Sequence, residues 1–138
     1  LVYQVHRTLL WAGRLAEASG LAARSNTLKP GGNPLVAARE ACAAGDRATA
    51  EKILEQVENG EDVNTSTLWI LHNMLGNTAM ETEVLRPLEQ SGVPYQLADF
   101  LIYHKFDPRP FPSLMAILER EGVERPEPAV PPFRCPPS

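Results

Sequence analysis

Apolar residues recur along this chain at three- and four-residue steps, the spacing of one helix face, rather than at the alternate steps of a strand. The clearest stripe is Ala50, Ile53, Leu54 and Val57, with Glu51, Lys52, Glu55 and Glu58 on the opposite face. Val2, Val5, Leu9 and Ala12 predict a helix over 2–12. Leu15, Ala18, Ala22 and Leu28 predict a second over 15–28. A third is expected over 34–44, with Asn33 as its N-cap and Pro34 at its first position. Asp46 is a candidate cap for the helix that carries the clear stripe, and Asn59-Gly60 should end it with a left-handed residue. Leu68, Trp69, Ile70, Leu71, Met74 and Leu75 make 65–75 the most apolar helix, capped by Asn64 or Thr65.

Thr78-x-x-Glu81 reads as a capping box for a further helix, with Val84, Leu85 and Leu88 on one face and Pro87 kinking its last turn. A helix over 95–104 sets Leu97, Phe100, Leu101 and His104 on one side. Asp107-Pro108-Arg109-Pro110 breaks the chain, and Asp107 is expected to bond its own backbone in a turn. Ser113 is expected to cap a last helix carrying Leu114, Ile117 and Leu118, closed by Gly122. From Glu124 onward six prolines in 15 residues exclude regular structure. That tail should be extended, with Phe133 tacking it onto the helices.

Glycines punctuate these helices at a regular interval. Gly13, Gly45 and Gly76 lie 32 and 31 residues apart, and Gly60 and Gly92 lie 32 apart. A period near 32 across helical segments marks stacked helix–turn–helix units. Such stacks bury their faces against neighbouring units and need caps at their ends. The expected fold is therefore all-α: a short right-handed solenoid of antiparallel helix pairs over residues 1–94, capping helices over 95–122 and an extended tail over 123–138. The chain starts inside an apolar pattern at Leu1, as a piece with upstream sequence missing would, and an uncovered edge there would favour a homodimer in isolation.

Composition narrows the function. The chain has 138 residues, 43% of them apolar, enough for a real core. Aromatic content is only 7%, so that core is expected to be mostly Leu, Ala, Val and Ile, which suits helices. Thirteen basic against 17 acidic residues give a formal charge of -4 and argue against a general nucleic-acid binder. No run approaches the ~20 apolar residues of a membrane span. Cys42, in an Ala-rich stretch, reads as a buried structural thiol. A disulfide to Cys135 in the tail stays open as an alternative.

The paired helices resemble tetratricopeptide repeats. Gly13, Arg14, Glu17, Ala18, Ala22 and Pro30 match the family's second half, and Ala50 and Leu54 match after Gly45. The closing proline is replaced by Asp62 in the second unit, Glu81 replaces the small alanine of the third, and Pro94 comes one residue late. Further on, Leu97-Ala98-Asp99-Phe100-Leu101, Lys105-Phe106-Asp107-Pro108-Arg109-Pro110-Phe111-Pro112 and Leu114-x3-Leu118-x3-Gly122 are similar to the ends of bacterial multidomain signalling proteins. Those chains carry repeats behind an adenylate-cyclase-like domain, or behind a winged-helix domain and a TolB-like domain. The resemblance implies a regulatory, non-enzymatic protein–protein interaction module that works with an upstream domain of the same polypeptide. It implies a cytoplasmic site, or a periplasmic one in a membrane-anchored parent, where Cys42 and Cys135 would oxidise.

Candidate chemistry is sparse. His6, His72 and His104 have no metal-ligand spacing, and neither a nucleophile elbow nor a phosphate loop is present, so no metal, cofactor or catalytic set is assigned. An enzyme built across a helical cleft would need Asp99, His72 and His104 to converge. A structural spacer would need no groove ligand. In tetratricopeptide stacks the first helices of successive units line a groove. Aligning Gly13, Gly45 and Gly76 sets Arg7 beside Arg39 and Ile70, Tyr3 beside Leu35 and Ser66, and Asn73 beside Leu10 and Cys42. Tyr3, Arg7, Arg39 and Asn73 are thus the expected peptide-binding residues, able to grip a carboxylate or an acidic peptide. This is loosely similar to the carboxylate clamp of that family.

Overall fold

A computed structural model describes residues 2–28, 32–91, 95–124 and 127–137. Among these the chain forms eight helices and no strand, so the protein is all-α. The helices are α1 (Val2–Trp11), α2 (Leu15–Leu28), α3 (Pro34–Ala43), α4 (Arg47–Glu58), α5 (Thr65–Leu75), α6 (Thr78–Gln90), α7 (Tyr95–His104) and α8 (Pro112–Arg120). Local chemistry sets their ends. Asn33 Oδ1 accepts from Leu35 N, Asp46 Oδ1 from Thr49 N and Asn64 Oδ1 from Thr67 N, so each side chain satisfies an amide that the first turn cannot. Gly13, Gly45 and Gly76 hold φ of 72°, 77° and 74°, the left-handed turn that glycine adopts without Cβ strain. The periodic glycine is thus one backbone device used three times.

Four expectations need correction. Gly60 is not left-handed: α4 ends on Asn59 at φ -88°, ψ 0°. Ser113 does not cap α8; Phe111 stands at the N-cap without a side-chain bond, and Glu89 Oε1 accepts from Ser113 N at 3.0 Å instead. Thr78 lies inside α6 rather than before it, and α6 continues through Pro87 to Gln90. Cys42 is not a thiol: it is bonded to Cys135. The expected roles of Pro30, Gly92 and Pro94 fall outside the described residues.

The chain divides into two compact units, Leu1–Thr78 with Pro131–Ser138, and Ala79–Val130. The division falls after Thr78 rather than at residue 94, and it places nearly all of α6 with α7 and α8. The tail is shared between the two units, and it is not extended throughout as expected: Arg134 N donates to Pro131 O at 3.1 Å and closes a turn over Pro132 and Phe133.

In the first unit α1 packs on α2 and α3 on α4, while α3 also touches α1 and α5. The row α1–α3–α5 carries most of the buried side chains. Leu35, Val36, Ala38 and Cys42 are buried on α3, and Trp69, Ile70, Leu71, Met74 and Leu75 on α5. The second helices bury little: Ala18 and Ala22 on α2, Ala50 and Leu54 on α4. Small alanines there permit close helix approach, and the outer faces stay polar.

The second unit has its own core of Leu85, Leu97, Leu101, Phe106, Phe111, Leu114, Ile117 and Leu118. Asp107 Oδ1 accepts from Arg109 N, so the expected turn at Asp107 is present. Lys105 turns the chain at φ 49° and its carbonyl accepts from Ala129 N.

Candidate peptide-binding face

The face begins with α1. Its i, i+3, i+7 positions Tyr3, His6 and Leu10 turn inward, with His6 and Leu10 buried. His6 Nε2 lies 2.7 Å from Glu40 Oε1, and Glu40 Oε2 accepts from Ser19 Oγ at 2.7 Å. This polar link ties α1, α2 and α3 together. Glu40 stands between the serine and the histidine, an order unlike the serine–histidine–carboxylate order of a catalytic triad.

Arg39 comes one residue before Glu40 on α3 and is 0% exposed. Its guanidinium carbon lies 4.2 Å from the centroid of the Tyr3 ring and 5.2 Å from that of Phe133. Its Nη1 donates to Tyr3 O at 3.2 Å, and its Nε has no hydrogen-bond partner. No carboxylate among the described residues pairs with it. Burial pushes its pKa down, Tyr3 opposes that, and the neighbouring charge of Arg7 adds to it. The cation is held instead by two aromatic faces, whose negative quadrupoles partly replace water.

The second aromatic belongs to the tail. Phe133 is 4% exposed and meets Trp11 edge-on at 6.3 Å between centroids. Arg7 lies over the same Trp11 ring at 5.9 Å. Next along the tail, Arg134 Nε donates to Asn73 O at 3.2 Å. Cys135 N donates to Met74 O at 2.8 Å, and Cys135 is disulfide-bonded to Cys42 of α3. Arg47 then bridges the tail to α5, donating from Nη1 to Pro136 O and from Nη2 to Leu75 O. Residues 131–137 therefore cross α1, α3 and α5, first in a turn that Arg134 N closes onto Pro131 O at 3.1 Å, with Phe133 in an aromatic–arginine socket and the tail backbone met by the Met74 carbonyl and the Arg47 guanidinium.

Three of the expected site residues come together. Tyr3 stacks on Arg39, and Arg7 stands beside them over Trp11. Asn73 takes part through its carbonyl, under Arg134. Arg39 lies in the core rather than at the surface, with the Tyr3 and Phe133 rings both against its guanidinium. Sequence reasoning missed Trp11, Arg47, Arg134 and Cys135 as members of this face. The one available signal was Phe133, an isolated aromatic in a proline run.

The residues of the enzyme alternative are placed separately. His72 is buried on α5 of the first unit, with Asn77 Nδ2 3.2 Å from its Nδ1. Its Nε2 is 3.4 Å from Glu58 Oε1, too poorly aligned for a hydrogen bond. Burial holds its pKa below the usual value, with Glu58 opposing. Asp99 is exposed and His104 half-buried, both on α7 of the second unit, where His104 stacks on Phe100 at 4.2 Å. Among the described residues no three His, Cys, Asp or Glu side chains are arranged to hold a metal ion, and no helix is long and apolar enough to cross a membrane. No protein-family model, curated protein or solved structure matches the chain.

Proposed function

We propose that this is a protein–protein interaction module whose α1–α3–α5 face takes a short peptide segment. One observation carries the reading: residues 131–137 of the same chain lie on that face, with Phe133 in an aromatic–arginine socket and three backbone-directed hydrogen bonds from or to the tail. Peptide ligands are commonly held in this mixed way, by backbone bonds for affinity and side-chain sockets for specificity. The helices that form the row are the first members of each pair, which supports a short right-handed solenoid of the tetratricopeptide kind with antiparallel pairs. An acidic residue in a partner would add to the match, since no carboxylate among the described residues pairs with Arg39. The Cys42–Cys135 bond favours an oxidising compartment, and so the periplasmic setting over the cytoplasmic one.

A synthetic peptide with the sequence of residues 128–137, serine replacing cysteine, tests the reading on the full chain carrying Cys135→Ser. Saturable binding, weakened several-fold by Trp11→Ala or Tyr3→Ala, is the expected result. No binding at millimolar peptide would refute it.

A further inference from the structure

We propose that the Cys42–Cys135 bond is a thiol-operated gate over the α1–α3–α5 face. The inference rests on the peptide-binding reading above and adds its regulation. With the bond intact the tail is a covalent occupant, and no free peptide can displace Cys135 from α3. Without it, what holds the described tail residues is the buried Pro131 and Phe133 side chains and three hydrogen bonds of 2.8–3.2 Å, two of them from arginine side chains. Such a segment, with no helix of its own, opens locally without unfolding the helices beneath.

Both cysteines of the bond are buried at the edge of an otherwise open segment. Cys42 and Cys135 are 3% and 5% exposed, while Pro132, Pro136 and Pro137 around Cys135 are open to solvent. Fraying of a few tail residues therefore bares the bond, whereas α3 need not move. The reductant is a dithiol, small or protein-borne. Its thiolate attacks one sulfur of the bond and forms a mixed disulfide, expelling the other cysteine as a thiolate that takes up a proton. The second thiol of the reductant then displaces the remaining cysteine and leaves as its own disulfide. Two electrons pass to the protein, and Cys42 and Cys135 end as thiols.

The gate is tested on the full chain with trypsin. Cleavage after Arg134 is followed by mass spectrometry after a reducing quench, with cleavage after the exposed Arg24 as the internal reference. Dithiothreitol, or Cys135→Ser without reductant, should speed the Arg134 cut at least about tenfold relative to Arg24, because cleavage tracks the open population. Helix content by circular dichroism should hold. The serine-substituted tail peptide should bind the reduced chain and not the oxidised one. An unchanged Arg134 rate with both thiols shown free by alkylation would overturn the gate. So would wholesale loss of helix on reduction, since the bond would then be a staple. A faster cut with no peptide binding in either state would keep the gate and refute the binding reading instead.

Discussion

Arg39 shows how a charged side chain is kept in a core without an opposite charge. Its guanidinium lies against the rings of Tyr3 and Phe133, and its side chain is fully buried. Replacing a buried charged group by an apolar one of similar size is often neutral, whereas truncation leaves a cavity. Arg39→Met is therefore expected to stay within about 1 kcal/mol of the parent chain, and Arg39→Ala to lose about 2–4 kcal/mol, both read from urea denaturation. A loss of the same size in both would mean that the charge itself stabilises the fold. His72 makes a separate case on the same scale. Its pKa is lowered in the fold by burial, so the unfolded chain binds the proton first. Stability is full above the unfolded histidine value of about 6.5 and falls as pH drops below it toward the folded value. Melting temperatures measured between pH 7.5 and 5 should decline, and His72→Gln should flatten part of that decline.

At the scale of elements, two glycines with open space around the missing Cβ should respond oppositely to alanine. Gly45 sits at φ 77°, and a side chain there is strained whatever the room. Gly45→Ala should cost about 1–2 kcal/mol. Gly20 lies in the exposed interior of α2 with ordinary helical φ, so Gly20→Ala should gain about 0.5–1 kcal/mol. Thermal melts of the two variants on either side of the parent would check this. Helices were legible in the sequence because their signals are local: Asn33, Asp46 and Asn64 cap within three residues, and each stripe repeats every turn. The site was legible only in part. Tyr3, Arg7 and Arg39 could be placed side by side from the glycine period, but the occupant of their face could not. A lone arginine among alanines resembles any surface arginine, and its cover, Phe133, lies 94 residues away. Ser113 failed as a cap for a similar reason, since Glu89 from another helix supplies the acceptor. The division after Thr78 was hidden because α6 follows the repeat spacing while its apolar face, through Leu85, serves the other core.

For the whole molecule the disulfide dominates. It joins positions 93 apart in sequence, so the chain-entropy estimate for its contribution is about 4–5 kcal/mol. A lower melting temperature in dithiothreitol, matched by Cys135→Ser without reductant, is the expected outcome. Equal melting temperatures would mean that the bond contributes nothing to global stability.

That same bond also reroutes mechanical force. Tension applied between α1 and residue 137 would pass from Cys135 straight into α3, and the stretch between the two cysteines, including all of the Ala79–Val130 unit, would carry none of it. At about 3.5 Å per extended residue, a single molecule pulled in the oxidised state should lengthen by roughly 300 Å less than a reduced one. The second unit is thus insulated from pulling on the tail as long as one pair of sulfurs stays joined. In a tethered assembly, that would let the first unit bear strain while its neighbour keeps its fold.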